Sequence, residues 1–298
     1  MEKLDNCPVC KGRIFIDFLI CKDHLFSAED FKIVQCTACG LRFTNPRPDE
    51  TSILRYYDSD EYISHNAKKN TILNKIYKTV RNYAIRKKFD LVKKHSLGVS
   101  LLDIGCGTGE FLHYCNRKNF LTTGIEPNIK ARNSAIENYS LDIFDENHLH
   151  SLPPSSFDVI TMWHVLEHVH KLQGRLEKIR SLLKPEGALF IAVPNCSSWD
   201  AEKYKEFWAA YDLPRHLYHF TPESMSETCR RNNFQIKKII PMKFDAFYIS
   251  LLSEKYSTGK PNSIKAMING FKSNFSAIKN QNNYSSLIYI CTIGQNLK

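Results

Sequence analysis

The stretch Asp103-Ile104-Gly105-Cys106-Gly107-Thr108-Gly109-Glu110 constrains this 298-residue chain more than any other. The apolar run Val99 to Ile104 leads into it, and Glu110 to Asn119 has the pattern of a helix leading out. A strand, a turn with alternating glycines and a helix let backbone amides approach a nucleoside-bearing ligand, because glycine takes dihedrals that a Cβ resists. No Lys-Ser/Thr pair follows to grip a phosphate, which disfavours a P-loop. Further on, Glu126 closes a second apolar run, Leu121 to Ile125, where a carboxylate can accept hydrogen bonds from ribose hydroxyls.

The rest of the chain continues this rhythm. We expect a helix through about Glu137, a third strand within Tyr139 to Phe144, a fourth at Phe157 to Trp163 and a helix at Lys171 to Leu183. A turn at Pro185-Glu186-Gly187 should precede a fifth strand, Ala188 to Val193. Thr221 and Pro222 read as the N-cap and first residue of another helix. Phe234 to Ile240 and Ser285 to Ile293 should pair antiparallel and close the sheet. The fold class is α/β, a mostly parallel seven-stranded sheet with helices on both faces. Residues 250–283 fit either an inserted helix or a loop. The expected organisation is a zinc-binding module at 1–48, a helical linker or cap at 49–98, and the sheet domain at 99–298 with insertions at about 196–220 and 250–283. Within Leu73 to Phe89 apolar residues recur at helical spacing among lysines and arginines, the pattern of a basic amphipathic helix.

Five of the ten cysteines fall in the first 39 residues. Cys7-x-x-Cys10 and Cys36-x-x-Cys39 supply four thiolates, the ligand set of a closed, structural tetrahedral zinc. Strands near Ile14 to Ile16 and Phe31 to Val34 would bring the two turns together. Cys21 is left over as a small buried hydrophobe. No run of about 18 apolar residues occurs, and a cytoplasmic location is the expectation. The net charge of +10 is uneven: residues 231–298 carry 10 basic and 2 acidic side chains, whereas residues 99–230 carry 13 and 17.

Asp103-x-Gly105-x-Gly107-x-Gly109, Glu126, Phe157-Asp158-Val159-Ile160 and Leu166-Glu167-His168-Val169 together resemble the successive motifs of Rossmann-like class I S-adenosylmethionine-dependent methyltransferases. The Leu-Glu-His stretch is similar to that of the ubiquinone-type O-methyltransferases. The amino-terminal run Cys39-Gly40-Leu41-Arg42-Phe43-Thr44-Asn45-Pro46-Arg47-Pro48, with Tyr56, Tyr57 and Tyr62, resembles a group joining a four-cysteine zinc module to this fold, some members of which methylate nucleotide-linked sugars at carbon. The resemblance implies S-adenosylmethionine as cofactor, with Asp103 and Gly105 beside its amino-acid part, Cys106, Gly107 and Gly109 in the loop against it, and Glu126 on its ribose. It further implies an aspartate near the adenine, Asp145 with Asp142 as rival, and His164 and Leu166 lining the same site. Asp158 reads as a scaffold contact.

A methyl acceptor needs a positioned nucleophile and, for many acceptors, a proton acceptor. His164 and His168 leave the fourth strand where ligands bind, with His164 expected to titrate near neutrality. His216 and His219 are alternative bases in the run Tyr211 to Phe220. There Arg215 could hold an anionic acceptor, with Tyr211, His216 and Tyr218 lining its site. The leading expectation is methyl transfer to oxygen or carbon of a small molecule, such as a nucleotide-linked sugar or another glycan or lipid precursor. RNA methylation and a non-catalytic, zinc-stabilised interaction protein are the alternatives. No catalytic metal is expected.

Overall fold

A computed structural model describes residues 1–57, 72–280 and 283–294. The chain opens with the antiparallel strands β1 (Phe15–Lys22), β2 (Asp30–Cys36) and β3 (Arg42–Thr44). Residues just past each CxxC pair, Lys11 and Gly40, take positive φ. Their amides donate back to the carbonyls of Cys7 and Cys36, which folds each pair into a tight knuckle. Part of the expected helical linker, residues 58–71 with Tyr62, lies outside the described residues, as do side chains up to residue 78. Helix α1 (Ile72–His95) follows, its Phe89 and Val92 buried against the sheet domain. Phe89 meets Tyr114 and Phe120 edge-on, which ties the basic helix to the domain by its apolar face.

The main sheet is built from β4 (Ser100–Ile104), α2 (Glu110–Asn116), β5 (Leu121–Ile125), α3 (Ile129–Tyr139), β6 (Ile143–Phe144), α4 (His148–Ser151), β7 (Phe157–Trp163), α5 (Leu172–Leu182) and β8 (Leu183–Pro194). After α6 (Trp199–Tyr204), β9 (Tyr218–His219) and α7 (Pro222–Arg231) come β10 (Phe234–Pro241), α8 (Asp245–Thr258), α9 (Ser263–Lys279) and β11 (Ser286–Ile293). The strand order is β10-β11-β8-β7-β4-β5-β6, with β11 antiparallel to both β8 and β10 and the other pairings parallel. Chain order reverses about β4, so the carboxyl ends of β4, β5 and β7 border the crevice where open α/β sheets bind ligands. The central strands are apolar throughout because both faces are covered: Leu101, Leu102, Ile104, Val159, Ile160 and Met162 are all at most 1% exposed.

Three local expectations change. The third strand is only two residues long, because α3 runs through Tyr139 and Ser140 closes it in the left-handed conformation. Pro185-Glu186-Gly187 does not break the chain; the residues lie within β8, whose pairing with β7 shifts register between Phe157 and Val159, a bulge that accommodates the proline. The stretch left open between helix and loop forms two helices, α8 and α9. Thr221 caps α7 as expected, its hydroxyl accepting from the Ser224 amide.

The small sheet is completed from a distant part of the chain. Arg42 and Phe43 of β3 pair with His219 and Tyr218 of β9, giving the order β1-β2-β3-β9. Ile33, Leu41 and Phe43 share one continuous core with Leu102, Leu166, Trp208, Tyr218 and Phe220. The four-cysteine unit therefore borrows its apolar packing from the main domain.

Candidate active site

The glycine loop leaves β4 as a tight turn that the sequence dictates atom by atom. Gly105, Gly107 and Gly109 have φ of +72°, +56° and +79°. A Cβ at Gly105 would run into Val165, and one at Gly109 would crowd Ala135, whereas one at Gly107 would meet nothing within 4 Å. Gly107 is thus the point where backbone faces open space. Its amide donates to Glu126 Oε2 at 2.8 Å, and the Asn128 amide donates to Oε1 at 2.9 Å. Burial raises the Glu126 carboxyl above its ordinary range, opposed by those two amides. Asp103, 2% exposed, accepts from the Thr161 hydroxyl at 2.6 Å, and burial pushes its carboxyl up to about 7. Asp145 directly follows β6 and is exposed, while its rival Asp142 precedes the strand. Asp158 is a scaffold contact, pairing with Lys184 at 2.9 Å and accepting from the Ser100 amide.

Beside the loop, β7 ends in Trp163 and His164. The Trp163 ring lies edge-on to Phe111 and under Lys88 Nζ of α1 at 4.5 Å. Its indole N–H is buried with no acceptor among the described residues. Cys106 is partly buried in the loop. Leu166 is fully buried in the apolar core, and Val165 takes the place expected of it, against Gly105. An open Gly107, an oriented Glu126 and an orphaned buried indole donor fit a nucleoside with a charged amino-acid tail, the make-up of S-adenosylmethionine.

His164, at φ +57°, bridges two carboxylates: Nε2 lies 3.1 Å from Asp245 Oδ2 and Nδ1 lies 3.4 Å from Glu167 Oε1. Burial alone would lower its pKa, but the carboxylates of Asp245 and Glu167 overcome that and hold it at about 9. His164 is therefore a cation at neutral pH, which corrects the expectation of a base titrating near 7. Glu167 is fully buried, and among the described residues neither oxygen has a partner beyond this looser ion pair. His168 behaves oppositely: burial, then the charge of His216, lower it to about 4. Its Nδ1 lies 3.1 Å from the Arg215 carbonyl and 3.1 Å from the Tyr57 hydroxyl. A carbonyl only accepts, so Nδ1 carries the proton and the lone pair is left on Nε2. His216 packs edge-on against the His168 ring at 4.6 Å, and its own Nδ1 faces the Ala210 carbonyl at 2.9 Å. Glu167, His168 and His216 bring ligand atoms within 4.8 Å of one another.

The remaining residues expected to hold the acceptor are committed elsewhere. Arg215, 1% exposed, donates to Asp23 at 2.9 Å, to Asp212 at 2.8 and 3.0 Å and to the Tyr56 carbonyl at 3.0 Å. With its guanidinium so occupied and walled off from solvent, it ties the 205–220 segment to the four-cysteine unit instead of gripping an anion. Tyr218 is buried, its hydroxyl donating to the His170 carbonyl and accepting from Arg47. His219 is buried against Thr44, and desolvation followed by the charge of His216 keeps it neutral. Tyr211 is buried edge-on to Trp208 and His219. Of the side chains of this run, His216 is the one that packs against the His168 ring among the described residues. Sequence reasoning missed Asp245, Thr161 and Lys88, which come from other elements; the long-range pairings carry no local motif.

The four cysteines form a separate centre. Cys7 and Cys39 Sγ lie 3.6 Å apart, Cys10 and Cys36 Sγ 3.4 Å apart, and all four sulfurs are within 4.8 Å of one another. Tetrahedral zinc with Zn–S near 2.3 Å needs sulfurs about 3.8 Å apart. The set fits a structural zinc and leaves no ligand position open.

Residues 77–239, more than half of the chain, match the family model described as a methyltransferase domain. A ubiquinone biosynthesis O-methyltransferase of Nitrosococcus oceani is 27% identical over 202 residues, covering 62% of this chain and 83% of that protein. One of Haemophilus ducreyi is 32% identical over 109 residues, where the chain spans about half (46%) of the relative's length and the match takes in 33% of this chain. Among solved structures, a phosphoethanolamine N-methyltransferase 2 of Haemonchus contortus, in complex with S-adenosyl-L-methionine, is similar over 94% of this chain and 69% of its own, with a TM-score of 0.53 and 17% identity. That likeness concerns the fold.

Proposed function

The chain belongs to the methyltransferase-domain family and is an S-adenosylmethionine-dependent methyltransferase, and from that premise we propose that its acceptor is a small molecule methylated on a hydroxyl oxygen. The names of the similar ubiquinone biosynthesis enzymes place the methyl on oxygen in those proteins, and the reading carries over that element without the quinone. Bound at the Gly105 to Gly109 loop, the cofactor would supply an electrophilic methyl group on sulfonium. Gly107 and Glu126 would hold its ribose side, Asp103 and the Trp163 indole N–H its amino-acid side, and Asp145 the adenine side. Four cysteines would hold zinc as a folding staple, away from the chemistry.

His168 carries the reading. An oxygen nucleophile loses its proton as it attacks, and a group at this edge must receive it. His168 is neutral at pH 7, its tautomer is fixed by the Arg215 carbonyl, and Nε2 offers the lone pair. His164, already protonated, orients Glu167 and Asp245 and contributes positive charge beside the cofactor. His168→Ala should lower kcat by about 10²–10⁴-fold while cofactor affinity by calorimetry stays within a few-fold. Equal turnover by the variant on hydroxyl-bearing acceptors, followed by transfer of labelled methyl, would remove the base assignment. We further propose a cytoplasmic setting; among the described residues no helix is long and apolar enough to cross a membrane.

A further inference from the structure

Helix α9 is turned the wrong way round for a helix on the outside of a protein in water. Its inward face consists of Ala266, Asn269, Gly270, Ser273 and Ala277, all buried. Its outward face carries Ile264, Met267, Ile268, Phe271, Phe275 and Ile278, between 48% and 77% exposed. These six recur at three- and four-residue spacing and form one stripe along the helix. Two have partial cover, since the Phe247 ring meets Phe271 edge-on at 5.0 Å and Lys279 Nζ lies over the Phe275 ring at 4.6 Å, yet all six stay at least 48% exposed. The helix is held by polar contacts, with Ser273 donating to Asp200 at 2.7 Å and Asn269 to Tyr204 at 2.8 Å and to Glu254 at 3.1 Å. Gly270 lets the Phe247 ring of α8 lie against its backbone. Beyond the Phe271–Phe247 edge, these bulky side chains leave about half or more of their surface in solvent, and a contiguous exposed patch of this kind marks a surface that meets something apolar.

The charges around the stripe identify what it meets. Lys272 and Lys279, one heptad apart, border it, and Lys243 just before α8 and Lys260 in the turn between α8 and α9 are exposed as well. Residues 231–298 hold only two acids. Both point inward: Asp245 onto His164, and Glu254, 1% exposed, onto Tyr204 and Asn269, with Lys265 as its ion-pair partner. Outward, the pair of helices presents large apolar side chains flanked by cations with no carboxylate among them. An antiparallel pairing with a second copy would set the lysine edge against its own twin. An anionic lipid surface answers both features, since headgroups neutralise the lysines and the acyl boundary receives the Phe and Ile side chains. The geometry points to α9 as an interfacial docking helix that seats the enzyme on an anionic bilayer, an inference independent of the acceptor proposed above.

Cosedimentation of the full-length protein with vesicles of phosphatidylglycerol and phosphatidylcholine tests this. Binding should require phosphatidylglycerol and weaken several-fold between about 0.1 and 0.5 M salt. The double variant Phe271→Ser/Phe275→Ser should bind at least about tenfold more weakly while keeping a cooperative melting curve and wild-type circular dichroism, because both rings are more than half exposed and only Phe271 meets a neighbouring ring, Phe247. Lys272→Glu/Lys279→Glu should lose phosphatidylglycerol binding as well, whereas Ile20→Ser, exposed on β1 of the zinc sheet, should not. Absence of binding at millimolar lipid would overturn the inference. So would equal binding to vesicles of phosphatidylcholine alone, or a dimer in sedimentation equilibrium that the phenylalanine variant dissociates in a protein that ignores vesicles.

Discussion

Glu126 accepts hydrogen bonds from the Gly107 and Asn128 amides, which fix the direction of its carboxylate at the end of β5. Replacing it with alanine removes charge-assisted acceptors from a buried position, so cofactor affinity measured by calorimetry should fall about 10–100-fold. The His164 bridge makes a pH prediction. Its folded pKa of about 9 stands above the ordinary 6.5, so the stability this residue adds is complete below about 6.5 and is lost as pH rises through about 9. Asp245→Asn withdraws one carboxylate. The His164 imidazole, followed by NMR, should then titrate well below its wild-type midpoint, and the decline of melting temperature on the alkaline side should begin at lower pH. A midpoint unmoved by the substitution would place the positive charge elsewhere.

Elements differ in how much of their arrangement their own residues reveal. The β4 loop and Glu126 are legible because glycine dihedrals and a strand-end carboxylate are local, and β7 begins and ends where its apolar run does. The charge state of His164 is not legible, since it depends on Asp245 at the start of a helix beyond β10. Likewise the Trp, Tyr and His content of 205–220 announces buried aromatic contacts without saying which sheet receives them; it is β3 that does. In α9 the bulky residues recur at helical spacing, but nothing local tells that this stripe faces solvent while Ala266, Asn269, Gly270, Ser273 and Ala277 face the protein. The gathering of Cys7, Cys10, Cys36 and Cys39 does read from spacing, and it carries a prediction. Stripping the metal with a strong chelator should release one zinc per chain and, through β3 and β9, loosen the segment that carries His216, so activity should fall together with near-ultraviolet circular dichroism.

For the molecule as a whole, the contact between Asp23 and Arg215 joins the zinc sheet to the catalytic domain across 192 residues of chain. Arg215→Ala would leave Asp23 buried, 1% exposed, without its cation, and should destabilise the protein by about 3–5 kcal/mol in denaturant unfolding. The same distance along the chain matters during synthesis. The four-cysteine sheet leaves the ribosome first, yet the strand that completes it and the arginine that neutralises Asp23 are made only after most of the domain has emerged. Until then β3 is an open edge and Asp23 an unanswered charge. The amino-terminal unit is a clasp that closes late, so a nascent chain halted before residue 218 exposes a sticky strand edge to its neighbours and to chaperones for as long as the pause lasts.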